Sequence, residues 1–186
     1  MVATPIQTAN AYASLANGGT LYKPHVLDKV TKANSPTIIT AFKPEVIRTI
    51  DWGPTRADYL AGFSGVVGSA SPLGTAYRTF SGFPLASFPL AGKTGTAQTG
   101  KDKLGNSKPE NSLFVAFTLG GGDQYTATAM LEGAGAGANA AAPTVRLILE
   151  PIATGDINAF EVPKGGAIDP SAVAQQSATI ATGGTD

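Results

Sequence analysis

The sequence contains no cysteine and a single histidine, His25, among its 186 residues. The absence of cysteine excludes disulfides, thiolate nucleophiles and cysteine-ligated zinc, and one histidine leaves too few nitrogen ligands for an ordinary zinc centre. Charge is also scarce: only 14% of residues are charged, and 13 basic residues balance 13 acidic ones. Because binding of DNA or RNA depends on neutralising phosphates, this composition argues against a nucleic-acid partner.

Long apolar runs are missing as well, since none approaches the roughly 18 residues that span a bilayer. Glycine and proline are abundant instead, with 23 and 13 residues, which indicates many turns. The chain opens on a helix start, with Thr4 as N-cap, Pro5 at the first helical position and Gln7 closing a capping box. Natural chains seldom begin on a cap, so we expect an internal boundary of a longer protein with Met1 added, a short native leader being the alternative.

Periodic apolar residues predict an α+β fold in which helices flank an antiparallel sheet. A first helix from Thr4 to about Asn17 has a stripe formed by Ile6 and small residues, and Gly18-Gly19 suits a left-handed helix end. Residues 68–89 are predicted to form an ordered loop region over the core. The other predicted elements are short strands at 20–22 and 25–30, a helix at 55–67, a three-stranded meander at 90–98, 112–119 and 125–131, and a helix from Pro143 to about Glu150 that stops at Pro151.

The most specific string is Lys93-Thr94-Gly95-Thr96, in the first strand of the meander. An arbitrary Lys-Thr-Gly tripeptide is most often structural, because lysine extends from strand edges, threonine favours strands and glycine marks a bulge. In a functional interpretation, Gly95 lets a ligand backbone lie against the strand and Lys93 offers a fixed cation. The two threonine hydroxyls and a backbone N–H facing a developing oxyanion would complete a site that suits a peptide carboxylate.

Around this string, the sequence resembles the C-terminal part of the transpeptidase domain of class B penicillin-binding proteins. The resemblance covers residues 3 to about 30 and 60 to about 152, and a closing helix at Ala141-Ala142-Pro143 also fits. It implies a partial domain with a serine β-lactamase-like fold. The matching stretches are Ala3-Thr4-Pro5-Ile6-Gln7, Asn10-Ala11-Tyr12-Ala13, Ala16-Asn17-Gly18-Gly19, Gly74-Thr75-Ala76 and Asn111-Ser112-Leu113-Phe114-Val115-Ala116-Phe117.

The resemblance implies a role for each residue of the string. Lys93 and Thr96 are expected to be catalytic: Lys93 sets the protonation and orientation of catalytic groups, and the Thr96 N–H supplies half of the oxyanion hole. Lys93, Thr94, Gly95 and Thr96 are all expected to bind substrate, a stem peptide ending in D-Ala-D-Ala or a β-lactam. No metal or organic cofactor is implied.

The family's nucleophile is absent from this sequence. It is a serine with lysine three residues on, a spacing that brings amine and hydroxyl together on one helical turn. No serine here has lysine at that position, and Ser-x-Asn does not occur either. In the family both motifs precede the Thr-Pro-Ile-Gln helix, so we expect this chain to hold one wall of an active site. It should be inactive alone and have the missing N-terminal part of its own domain as a partner.

We therefore interpret residues 1–154 as part of a peptidoglycan D,D-transpeptidase that binds penicillin and cross-links stem peptides. The resemblance implies a location at the extracytoplasmic face of the bacterial cytoplasmic membrane. Residues 155–186, rich in Gly, Ser, Thr and Ala, are predicted to be an extended or disordered tail. Two alternatives stay open: a noncatalytic peptide- or protein-binding module of the same fold, and a fragment of a serine β-lactamase or D,D-carboxypeptidase.

Other candidate sites are weaker. The stretch 87–94 misses the phosphate-loop pattern by its first glycine and is followed by a poor helix start. His25 has no identifiable triad partners and is assigned to surface or hairpin packing. Glu132 and Glu150 are assigned structural or solvated roles, and residues 101–103 a solvated loop.

Overall fold

The structure is a computed structural model that describes residues 3–68, 74–120, 122 and 124–156. The predicted tail beyond residue 156 and part of the predicted loop, 69–73, lie outside these residues. None of the helices in the described ranges has both the length and the apolar character that a membrane crossing requires. The elements in chain order are α1 (Pro5–Ala16), β1 (Thr20–Tyr22), β2 (Lys29–Thr31), β3 (Ile38–Ala41), β4 (Val46–Thr49), α2 (Arg56–Val67), β5 (Leu90–Ala97), β6 (Asn111–Thr118), β7 (Thr126–Leu131) and α3 (Ala141–Thr154).

The central sheet is an antiparallel meander of β5, β6 and β7 in sequence order. Its β5–β6 register pairs Gly92 with Ala116 and Thr96 with Ser112, one residue against one throughout. The predicted meander is therefore confirmed, with strand ends within a residue of those expected. Within the described part of the chain, β5 and β7 are the edge strands of this sheet.

Helices cover both faces of this sheet. On one face, Phe114 of β6 packs with Phe80 from the loop before β5 and with Val145 of α3. On the other face, Phe117 of β6 packs against Tyr12 of α1, with ring centroids 5.8 Å apart. Because β6 is covered on both sides, its inward and outward residues are almost all buried. The predicted α+β fold, an antiparallel sheet flanked by helices, is confirmed.

The ends of α1 follow the sequence signals. The Thr4 hydroxyl accepts from the Gln7 N–H at 3.3 Å, and the Gln7 side chain accepts from the Thr4 N–H at 2.8 Å, which completes the capping box. Gly18 beyond the helix has a φ of 95°.

The predicted packing stripe is wrong at Ile6, which is 58% exposed. The helix is buried only toward its C-terminal end, at residues 14–15, so its first turn stays in solvent.

The closing helix departs from its predicted bounds. It begins two residues earlier than expected, at Ala141, and continues through Pro151 to Thr154. Proline removes one helical hydrogen bond, but Pro151 is buried, and this packing offsets the loss. The helix ends instead at Gly155, whose φ is 75°. Its first turn is held from outside, because the buried Ser112 hydroxyl accepts from the Ala141 N–H at 3.0 Å.

Residues 20–50 form two further antiparallel pairs, β1 with β4 and β2 with β3. The short strand predicted at 20–22 is confirmed. The strand predicted at 25–30 is wrong over 25–28, since β2 begins only at Lys29. Every residue of β2, β3 and β4 is exposed, so these strands lack the half-buried alternation that a sequence pattern detects. The sequence predicted neither β3 nor β4.

Candidate substrate-binding strand

The four residues of the Lys-Thr-Gly-Thr string lie in the middle of β5. Lys93 and Thr96 are exposed, and Thr94 and Gly95 are half-buried. An edge strand presents backbone N–H and C=O groups that can pair with an extended peptide. Since β5 continues to Ala97 as a strand, Lys93 and Thr94 do not open a helix, and the phosphate-loop alternative fails.

Strand alternation divides these residues between the two faces of the sheet. Thr94 and Thr96 share a face with their cross-strand partners Phe114 and Ser112, which is the face that α3 covers. Lys93 points to the opposite face. Its ammonium nevertheless turns back to the strand, where Nζ donates to the Thr94 carbonyl at 2.6 Å. The structure thus brings the two threonines together, and the lysine approaches them along the backbone.

Thr94 is held by a residue from the loop before β5. Its hydroxyl lies 3.0 Å from the hydroxyl of Thr75. Both neighbours of Thr75 are anchored: Ala76 is buried and its N–H donates to a carbonyl of α2 at 3.0 Å. Gly74 packs so tightly on the end of α2 that an added Cβ would clash with carbonyl oxygens there. The stretch Gly74-Thr75-Ala76, to which the sequence assigned no role, therefore fixes the position of a hydroxyl beside β5.

Thr96 is held by the loop before α3, residues 132–140. Its hydroxyl accepts from the Gly137 N–H at 3.4 Å. Gly137 is buried, and an added Cβ would lie 2.5 Å from the Gly95 carbonyl oxygen and clash with the Leu113 carbonyl as well. This close approach to the β5–β6 backbone requires glycine. Sequence reasoning missed Gly137, although the Gly/Ala-rich composition of this segment was a signal for close packing.

Thr79 connects the two loops. Its hydroxyl donates to the Ala138 carbonyl at 3.1 Å, and its own carbonyl accepts from Arg146 of α3 at 2.6 Å. Arg146 also donates to the Ser81 carbonyl at 2.8 Å and makes a bidentate pair with Glu150, at 3.1 and 2.7 Å. Glu150 is therefore structural, as expected. We call the set Thr79, Ala138 and Arg146 the loop clamp.

Replacing Arg146 with methionine should lower the free energy of unfolding by about 1.5 kcal/mol, because two backbone carbonyls and a carboxylate lose a charged donor. Urea denaturation of the full chain measures this change. Arg78, an exposed arginine of the same loop, provides the matched control, and Arg78→Met should change stability little. Equal effects of the two substitutions would show that the clamp contributes nothing specific.

Two ionisable groups near the sheet have shifted pKa values. The Asn106 side-chain amide, with the N–H groups of Asn106 and Leu104, holds the pKa of Asp102 below its usual range. Asp102 thereby orders the connection from β5 to β6, and residues 101–103 are exposed as predicted. Burial raises the pKa of Tyr12, so this tyrosine stays neutral at physiological pH.

The other candidate side chains lie away from β5. His25 is exposed, and its Nδ1 lies 3.0 Å from the Leu27 carbonyl, in keeping with the assigned surface role. Glu132 is exposed at the end of β7. Over the ranges that the structure describes, no three His, Cys, Asp or Glu side chains group closely enough to hold a metal ion.

The sequence matches the family model described as the penicillin binding protein transpeptidase domain, over residues 1–150. No curated protein sequence matches the chain. The match to the transpeptidase domain model agrees with the family resemblance drawn from the motifs.

Solved structures of several penicillin-binding proteins share the fold. Penicillin-binding protein 2B of Streptococcus pneumoniae strain R6 aligns with a TM-score of 0.57 at 20% identity, covering 89% of this chain and 26% of that one. Penicillin-binding protein 3 of Mycobacterium tuberculosis, complexed with aztreonam, gives 0.59 at 23% identity, covering 88% and 37%. The penicillin G acyl-enzyme complex of penicillin-binding protein A from M. tuberculosis gives 0.54 at 20%, covering 84% and 32%. The chain thus spans between 26% and 37% of the length of these structures.

Proposed function

This chain belongs to the penicillin-binding protein transpeptidase domain family, and we propose that it is the part of a peptidoglycan D,D-transpeptidase that carries the substrate-binding strand. The observation that carries the proposal is the place of Lys93-Thr94-Gly95-Thr96 on an edge strand, with both threonine hydroxyls held in position by neighbouring loops. The family match and the shared fold support it.

In this proposal, a stem peptide ending in D-Ala-D-Ala lies extended along β5. Its terminal carboxylate accepts hydrogen bonds from Thr94 and Thr96, with Lys93 close by as a counter-charge. The peptide carbonyl of the penultimate D-Ala faces the Thr96 N–H, which stabilises the oxyanion that forms on attack. Gly95, which has no side chain, leaves room for the ligand backbone.

The bond changes of the proposed reaction require a nucleophile from outside this chain. A serine oxygen attacks the penultimate D-Ala carbonyl, its proton passes to a base, and the C–N bond to the terminal D-Ala breaks as that amine is protonated and leaves. The resulting ester is then attacked by an amine of a second stem peptide, which forms the cross-link and releases the serine. The missing N-terminal part of the domain would supply the serine and its lysine.

We propose β-lactams as ligands of the same strand. Penicillin-binding protein A of M. tuberculosis forms an acyl-enzyme with penicillin G, and penicillin-binding protein 3 of that organism is complexed with aztreonam. A β-lactam presents an anionic group and a reactive carbonyl, as the stem peptide does. Because peptidoglycan lies outside the cytoplasmic membrane, the protein would act at its extracytoplasmic face.

The proposal predicts the outcome of an acylation experiment. Incubated with benzylpenicillin, residues 1–186 should gain no covalent adduct in intact-protein mass spectrometry, because no serine has lysine three residues on. A longer product of the same reading frame that supplies Ser-x-x-Lys and Ser-x-Asn should gain the mass of one opened β-lactam. A stoichiometric adduct on residues 1–186 would contradict the assigned need for an outside nucleophile.

The second candidate function is a noncatalytic peptide-binding module of the same fold. The absence of Ser-x-x-Lys from residues 1–186 favours it over any enzyme that would act with this chain alone. This module is supported if the reading frame continues upstream without Ser-x-x-Lys or Ser-x-Asn and its product is not acylated. A fragment of a serine β-lactamase or D,D-carboxypeptidase is less favoured, since the matching family model is that of transpeptidases.

A further inference from the structure

The two threonines of β5 share an arrangement that sets which way their hydroxyl protons can point. A threonine hydroxyl has one proton to donate and an oxygen that accepts. The Thr96 oxygen already accepts from the Gly137 N–H. Its own proton is therefore free to be donated away from that loop.

A hydrogen bond from Thr75 can occupy the Thr94 oxygen as an acceptor in the same way. The two hydroxyl oxygens are 3.0 Å apart, and either can donate to the other. When Thr75 donates, the Thr94 oxygen is occupied as an acceptor and its proton points elsewhere. We propose that Thr75 is a positioning residue that fixes Thr94 as an outward donor, so that Thr94 and Thr96 together form a subsite for a ligand group that only accepts hydrogen bonds.

The surroundings of Thr75 make this a fixed arrangement. Its neighbours Gly74 and Ala76 are packed against α2 and into the core, so the backbone at Thr75 has little freedom. The loop clamp links Thr79, which lies in the same loop as Thr75, to Ala138, the residue that directly follows Gly137. Thr75 and Gly137 are therefore held by one connected set of contacts while they engage Thr94 and Thr96.

A pair of outward donors selects between ligands of similar shape. An ionised carboxylate is acceptor-only and gains charge-assisted hydrogen bonds from both hydroxyls. A carboxamide turns an N–H group toward one of the donors and leaves that hydroxyl unpaired. The inference rests on the proposed function and deepens it, since it names the residue that makes β5 prefer a free terminal carboxylate.

The test uses the full chain labelled with ¹⁵N and ¹³C. The χ1 rotamer of Thr94 is read from three-bond couplings to its methyl carbon without ligand. N-acetyl-D-Ala-D-Ala and its C-terminal amide are then titrated while the amide signals of residues 94–96 are followed. Variants are Thr75→Val, which removes only the hydroxyl, Thr75→Ser, which restores it, and Thr37→Val. Thr37 is the matched control because its hydroxyl pairs with Ser35 at 2.9 Å beside the separate β2–β3 pair.

We expect one Thr94 rotamer in the wild type, in Thr75→Ser and in Thr37→Val, and rotamer averaging in Thr75→Val. The preference for the carboxylate over the amide should fall roughly fivefold in Thr75→Val alone, the order of one lost hydrogen bond. An unchanged rotamer or an unchanged preference in Thr75→Val overturns the role of Thr75. If the wild-type chain binds neither ligand, the proposed function of β5 fails, and the donor subsite with it.

Discussion

Replacing Gly137 with alanine is expected to lower the free energy of unfolding by about 3 kcal/mol, at the upper end of the cost of overpacking. The added Cβ would clash with the Leu113 carbonyl and lie 2.5 Å from the Gly95 carbonyl oxygen. Neither atom can move without breaking the β5–β6 pairing, so the loop before α3 must lift off the sheet. Urea denaturation followed by circular dichroism measures the loss.

Gly62 provides the control for this prediction. It lies inside α2, and an added Cβ there would meet nothing within 4 Å outside the helix backbone. Gly62→Ala should therefore raise stability by about 0.5–1 kcal/mol, because alanine loses less backbone entropy in a helix. If Gly137→Ala is as stable as Gly62→Ala, the loop is not packed on β5 as described.

Under the proposed function, replacing Lys93 with alanine is expected to slow acylation by a fluorescent penicillin about 100-fold in a longer product of the reading frame that supplies Ser-x-x-Lys, a typical effect of removing one charged group from an acyl-transfer site. The ammonium lies at the strand backbone, 2.6 Å from the Thr94 carbonyl, where an anionic ligand and the catalytic groups would meet it. The rate of labelling, followed by gel fluorescence under single-turnover conditions, gives the measurement.

Lys101→Ala is the matched control, because Lys101 is an exposed lysine just beyond the end of β5. It should label at the wild-type rate. Should Lys93→Ala also label at that rate, with an unchanged circular dichroism spectrum, Lys93 would be a strand residue with no part in acylation.

Local signals in the sequence were enough to predict most of the fold. The capping box of Thr4 and Gln7 involves residues three apart, so the sequence alone specifies its geometry. The meander follows from alternation in β6 and from turn residues on both sides of it. The string Lys93 to Thr96 is contiguous, and its place on a strand was predicted for the same reason.

The parts that could not be predicted depend on contacts between distant residues. Thr75 lies 19 residues from Thr94, and Gly137 lies 41 residues from Thr96. No periodicity or turn pattern encodes which loop will meet which strand. The path of α3 through Pro151 is another case. Burial of the proline ring overrides the proline stop signal, and this burial is a property of the folded core.

The loop clamp makes the positions of the Thr94 and Thr96 hydroxyls depend on α3. Because Thr79 links Arg146 to Ala138, a change in α3 would displace the two loops that hold Thr94 and Thr96 while leaving every residue of the Lys-Thr-Gly-Thr string intact. An intact string is therefore not by itself evidence of an intact site.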